Sequence, residues 1–179
     1  MSWIMVDVEA DGPVPGDYSM VALGAIVAEP GLEKTFYARL RPVSGNYLPD
    51  FLAVTGFTRE QTLAFEEPSE ALQRFDLWLH RNSRGQPAFV SDNAGFDWGF
   101  VAWYYQHFLQ FNPFGTKALD LDSFYKGCSR SLFRNFRRLR ITPHTHHPVD
   151  DARGNAEAFL AILREYRVRA GAAATGDQE

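Results

Sequence analysis

The sequence predicts an α/β fold built on a mixed β-sheet, with three antiparallel strands first, parallel strands after them, and helices flanking the sheet. Three observations carry this. The first forty residues hold three short apolar runs broken by tight turns. The remainder alternates helical periodicity with short apolar strands, the pattern of crossover-linked parallel pairs. Finally, 179 residues with 45% hydrophobic and 15% aromatic content are enough to bury a core without disulfides, and no repeat or linker divides them. Residues 1–169 therefore read as one domain.

The strands begin with residues 3–9, 20–29 and 34–41, the last two joined at Pro30-Gly31, so that an antiparallel meander follows. Residues 49–54, 58–63 and 69–82 read as helices; in the third, Leu72, Phe75 and Leu79 recur at spacings of three and four. Residues 87–91 form a short apolar strand. Asn93 suits the N-cap of a helix whose Phe96, Phe100, Trp103 and His107 share a face, with Asp97 on the flank of that stripe. Residues 117–121 are a further strand, with Asp120 and Asp122 read as loop acids after it. Leu132, Phe136 and Leu139 line a short helix, and Ala152, Ala156, Phe159, Leu163 and Tyr166 line a long final one. The small and polar residues 170–179 read as a disordered tail.

Net charge is −4, which argues against a general polyanion-coating protein. A local exception is the stretch 130–140, which carries Arg130, Arg134, Arg137, Arg138 and Arg140 and no acid. On a helix, Arg130, Arg134, Arg137 and Arg138 would share one face, fit either for solvent or for gathering phosphates. The single Cys128 excludes an internal disulfide, and the absence of a leader-like or long apolar segment makes a cytoplasmic protein, without a membrane span, the expectation.

Chemistry enters at Asp7 and Glu9. Alternation along a strand sends Ile4, Val6 and Val8 to one face and both carboxylates to the other, roughly 7 Å apart. Like charges there repel unless a cation lies between them, and divalent ions take such oxygen ligands; the plain alternative is a strand running out into solvent with a turn at Asp11-Gly12. The sheet topology places further acids nearby, because sites in α/β sheets lie at the carboxyl ends of strands and Asp97 follows the fourth one. Alone, Asp97 and Asp151 could equally be first-turn acids favoured by helix dipoles. The trio His144, His146 and His147 does not read as a zinc site, since the only cysteine lies elsewhere.

Taken in order, Asp7-Val-Glu9 with its Gly turn, Asn93-Ala-Gly-Phe-Asp97, and His146 five residues before Asp151-Ala152 resemble the three motifs of the DEDDh family, the DnaQ-like and RNase T-like 3′-5′ exonucleases on an RNase H-like fold. The Thr55-Gly56 turn and the segment after it are similar to a segment this family carries after its third strand, and the resemblance spans about residues 3 to 166. It implies that Asp7, Glu9, Asp97 and Asp151 hold two divalent ions roughly 4 Å apart, Mg²⁺ with Mn²⁺ as a substitute. It implies also that Glu9 and His146 are catalytic, His146 as general base. The substrate would be single-stranded 3′ ends of RNA or DNA, with nucleoside 5′-monophosphates released. RNA is slightly favoured because no polymerase-binding segment is visible. The resemblance makes a homodimer the oligomeric expectation. Ala10 departs from the small polar residue that relatives carry, and two prolines occupy the loop after it, where the terminal nucleotide would be met. Phe57 and Phe96 are candidates to stack on bases, and Arg134 and Arg138 to gather phosphates. The competing readings are a DNA proofreading or repair exonuclease, a binding module with a weak or dead site, and an endonuclease or phosphodiesterase on the same fold.

Overall fold

The computed structural model describes residues 1–168; the expected tail at 170–179 lies outside the described residues. Five strands form one sheet in the order β3-β2-β1-β4-β5: β1 Ser2–Ala10, β2 Met20–Val27, β3 Thr35–Arg39, β4 Pro87–Ser91 and β5 Ala118–Asp120. β1 to β3 form an antiparallel meander, whereas β4 pairs parallel with β1, and β5 parallel with β4. The predicted mixed sheet is therefore present.

Central placement explains why β1 and β2 are almost entirely apolar. Each is covered on both faces, so the in-out alternation of a half-buried strand gives way to a continuous hydrophobic run. One face carries Ile4, Val6 and Val8 against Phe75 of α3 (Pro68–Asn82) and Phe100, Tyr104 and Tyr105 of α4 (Ala94–Phe108). On the other, Met5, Ile26 and Val90 meet Tyr125 of α5 (Leu121–Ser129) and Ala156, Phe159 and Ile162 of α6 (Pro148–Glu165). Asp7 and Glu9 share the parity of Met5 and so face α6.

Two short helices, α1 (Pro49–Val54) and α2 (Arg59–Leu63), follow the meander. In α2, Thr58 and Gln61 form a reciprocal capping box, which accounts for a helix this short. Its Arg59 reaches back to the end of β1, where Nη1 donates to Asp11 Oδ2 at 2.8 Å and Nη2 donates to the Ser44 carbonyl at 2.6 Å.

Several expectations need correction. The buried face of α4 carries Asp97, Phe100, Val101, Tyr104 and Tyr105, while Trp103 is half-buried and His107 exposed. Large aromatics on every side of α4 blur its period, and Asp97 thus lies on the buried face and not on its flank. Asn93 stands at the helix entrance but makes no side-chain cap. Helix α5 has no counterpart among the sequence expectations. Its N-cap is Asp120, whose Oδ1 accepts from the Ser123 N–H at 2.7 Å while Oδ2 accepts from the Ala94 N–H at 3.2 Å, and Asp122 pairs with Lys126 inside the helix. Neither is a loop acid. The amphipathic helix expected over 130–140 is only a single 3₁₀ turn, Phe136–Leu139, because Arg130 takes a left-handed conformation that ends α5 (φ 52°) and Leu132 is left exposed.

Candidate active site

Strand β4 pairs with β1 only as far as Met5–Val90 and then diverges, opening a crevice between two strands whose connections leave in opposite directions. Beyond that point the Val8 N–H is taken by a side chain: it donates to Asp97 Oδ1 at 3.2 Å. This bond carries the start of α4 to the carboxyl end of β1. From the other face α6 arrives over Gly24, the β2 residue paired with Asp7. A Cβ at Gly24 would collide with the backbone of Pro148 and Val149, so only glycine lets the first turn of α6 settle on the sheet beside Asp7.

Asp151 shapes the loop before it. Its Oδ1 accepts from the Thr145 N–H at 3.0 Å and from Arg140 Nη2 at 2.9 Å, and its Oδ2 accepts from the His146 N–H at 2.8 Å. A carboxylate that gathers the preceding backbone in this way explains the five-residue spacing between His146 and Asp151. His146 takes a left-handed conformation (φ 60°) that non-glycine residues seldom adopt, and its ring reaches the site, Nδ1 lying 3.9 Å from Glu9 Oε1. His144 Nδ1 is 2.9 Å from Asp151 Oδ1. His147 is extended, as the following Pro148 requires, and turns away toward Asp150 and the ring of Tyr37.

Asp7, Glu9 and Asp151 bring carboxylate oxygens within 4.8 Å of one another. Asp97 stands beside them with Oδ2 buried and unpartnered, a donor available for a cation. Burial first, and then the charges of Asp97, Asp92, Glu9 and Asp151, push the Asp7 carboxyl well above the usual range. Asp97 is raised in the same direction by burial and by Asp92, and Glu9 is pushed up to about 8 by burial and Asp151. Buried carboxylates that repel in this way are suited to hold divalent metal, and an oxygen donor set without cysteine favours a hard ion.

Next to the acids lies an apolar cleft of about 340 Å³, lined by Glu9, Ala10, Asp50, Phe51, Val54 and Phe96. Of the two expected stacking residues, Phe96 lines this cleft; Phe57 instead packs edge-on against Phe65 at 5.0 Å. Arg134 and Arg138 are not brought to the carboxylates: Arg134 Nη1 donates to the Tyr166 hydroxyl and Arg138 to the Tyr125 hydroxyl. Sequence reasoning missed Phe51, Val54, Asp92 and Arg140. One signal could have found Arg140. Gly154 lies inside α6, where glycine costs about 1 kcal/mol, and a Cβ there would collide with the Arg140 guanidinium and the Thr142 carbonyl. A glycine of this kind marks a close approach.

Comparison with known proteins gives a consistent picture. The RNase T family, described as exonuclease, matches residues 4–159. A 3′-5′ DNA exonuclease of Escherichia coli, Cap18, is 38% identical over 171 residues, covering 89% of this chain and 90% of its own. Among solved structures, the nuclease domain of 3′hExo, a DEDDh family member with bound rAMP, shares the fold at a TM-score of 0.75 with 14% identity, covering 92% of each chain. E. coli Exonuclease I in complex with a dT13 oligonucleotide superposes at a TM-score of 0.70 with 15% identity, over 92% of this chain and 41% of that one. No described helix is long and apolar enough to cross a membrane.

Proposed function

The chain belongs to the RNase T exonuclease family and is a 3′-5′ exonuclease of the DEDDh type, and on that premise we propose that it degrades single-stranded DNA from the 3′ end with Mg²⁺, releasing nucleoside 5′-monophosphates. The observation that supports this reading most is the cluster of Asp7, Glu9 and Asp151 oxygens within 4.8 Å, with the buried Asp97, outside that set, acting on Asp7 by its charge and keeping Oδ2 unpartnered. These four residues would hold the divalent ions, Mn²⁺ serving as a substitute. Bound there, such ions would neutralise charge developing on the phosphate and lower the pKa of a water so that it can lose a proton and attack phosphorus at neutral pH.

The protein's own groups perform the rest. His146 takes the proton from the attacking water, its imidazole standing at the open mouth of the site near Glu9. Glu9 orients that water. Phe51, Val54 and Phe96 cover the terminal base in the apolar cleft, excluding solvent from one side of the scissile phosphate. Ala10 leaves the terminal sugar without a side-chain hydroxyl at that position.

DNA takes precedence over RNA as substrate because the relative at 38% identity is a DNA exonuclease. The chain's lone cysteine supports a cytoplasmic location, and a homodimer is the proposed assembly. The test is digestion of matched DNA and RNA oligomers labelled at the 5′ end. A ladder shortening from the 3′ end, faster on DNA, restored after EDTA by Mg²⁺ or Mn²⁺ but not Ca²⁺, with circular strands left intact, is expected. Cutting of circles or full activity in EDTA would overturn the reading.

A further inference from the structure

The stretch 130–141 leaves its apolar residues outside. Phe133 is 99% exposed, Leu132 79% and Ile141 84%, while Phe136 packs inward. Adjacent, almost fully exposed apolar side chains such as Leu132 and Phe133 are the kind of surface that marks an interaction site. Around these residues stand Arg130, Arg134, Arg137 and Arg138, with no acid in the stretch. The hydrogen-bond partners of Arg134 and Arg138 are the neutral hydroxyls of Tyr166 and Tyr125, which fix the guanidinium groups without cancelling their charge; Glu165 is the acid whose charge reaches Arg138.

Position decides what this surface does. Tyr166 closes the C-terminal end of α6, fifteen residues after Asp151 in its first turn, so its Cα stands roughly 22 Å along the helix from that of Asp151, and Arg134, bonded to the Tyr166 hydroxyl, belongs to this far end. That is too far to touch the reacting phosphate. The stretch then runs back toward the site: the charge of Arg137 acts on Asp92, and Arg140 pairs with Asp151. Ile141 and Thr142 are moored to α6 by the Glu157 carboxylate, which accepts from both backbone N–H groups at 2.8 and 2.7 Å. The result is a basic track with an exposed aromatic at its outer end and the active site at its inner end.

We propose that residues 130–140 are a distal binding track for the upstream part of the single-stranded DNA substrate, with Phe133 stacking on a base and Arg130, Arg134 and Arg137 meeting phosphates. Uncompensated positive charge interleaved with an aromatic is the chemistry of a single strand, whose bases offer π-faces and whose phosphates are anionic. At about 3.4 Å per stacked nucleotide the outer end corresponds to roughly six nucleotides from the 3′ terminus. This rests on the exonuclease reading and adds a length dependence to it.

The experiment compares oligothymidylates of four and sixteen nucleotides, by hydrolysis in Mg²⁺ and by fluorescence anisotropy in EDTA, for the parent, F133A and R130E/R134E. Both variants are expected to raise KM and Kd for the 16-mer about five-fold or more while leaving 4-mer kinetics within about two-fold. R130E/R134E should also flatten the salt dependence of 16-mer binding. An equal effect on both lengths, or none on either, overturns the track. Sedimentation of the parent as a dimer that F133A dissociates, with 16-mer binding unchanged, overturns it in favour of a contact between copies. If the parent hydrolyses neither strand, the exonuclease reading fails while anisotropy still decides the track.

Discussion

Asp7 and Asp11 lie four residues apart on one stretch of chain, both buried, and are treated in opposite ways. Asp11 has partners: Oδ2 accepts from Arg59 at 2.8 Å and Oδ1 from the Ser19 N–H at 2.6 Å, so that, although burial still raises its carboxyl, Ser19 and Arg59 pull against that rise. The charges acting on Asp7 are instead those of Asp97, Asp92, Glu9 and Asp151, all carboxylates. The difference separates a structural acid from the one proposed to bind metal. Asp11 closes the loop after β1 onto α2, whereas Asp7 is kept in a like-charged setting that a proton relieves in the metal-free protein and a bound cation would relieve in its place.

The sharpest way to break this contrast is to remove one charge at a time. D7N should lower hydrolysis by at least about 10²-fold while leaving the metal-free protein as stable or more so. Retained turnover, followed on a 5′-labelled strand at saturating Mg²⁺, would remove Asp7 from the site. H146A should lower kcat by roughly 10²–10⁴-fold, the usual contribution of a general base, while H147A changes it within about two-fold. The reverse outcome would shift the third motif by one residue.

Stability should respond on the other side of the comparison. D11N leaves Arg59 without its charged partner and should cost about 1–3 kcal/mol in urea unfolding, with metal-dependent stabilisation preserved. R140M removes the guanidinium from a wholly buried Asp151 carboxylate and should cost about 3 kcal/mol. An unchanged denaturation midpoint in R140M would mean that Asp151 does not depend on Arg140.

A smaller effect is the pH dependence of the metal-free protein. Glu9 ionises near 4.5 when unfolded but holds its proton to about 8 in the fold, and Asp7 and Asp97 shift the same way. Across that window the folded state binds more protons, so stability is fully present below about pH 4.5 and is lost as pH rises toward about 8. Urea midpoints in EDTA that stay flat or rise over this range would contradict the shifts.

Much of the candidate site's assembly is legible in residue type and spacing. Asp7 and Glu9 alternate onto one face, and Pro148 fixes which histidine stays in the loop. The mixed sheet, antiparallel first and parallel after, followed from strand and helix alternation, whereas the strand order came only with the structure. What was not legible depends on tertiary approach. Arg140 looks like the four arginines before it until α6 packs against it at Gly154, and Asp92 becomes a site neighbour only because β4 diverges from β1 after Val90. The expected helix over 130–140 failed for a local reason: the left-handed Arg130 ends α5, and of the apolar side chains Phe136 and Leu139 reach the core while Leu132 does not, so only one 3₁₀ turn packs.

The most direct test of the account is the melting temperature of the parent, D7N and D11N, each in EDTA and in saturating Mn²⁺ near pH 8. The parent should melt higher in Mn²⁺. D7N should melt at or above the parent in EDTA and gain little from the metal, and D11N should melt below the parent in EDTA yet gain as the parent does. A D7N protein that melts below D11N in EDTA, or that gains as much from Mn²⁺ as the parent, would contradict the claim that Asp7 is held against its neighbours' charge for a metal ion.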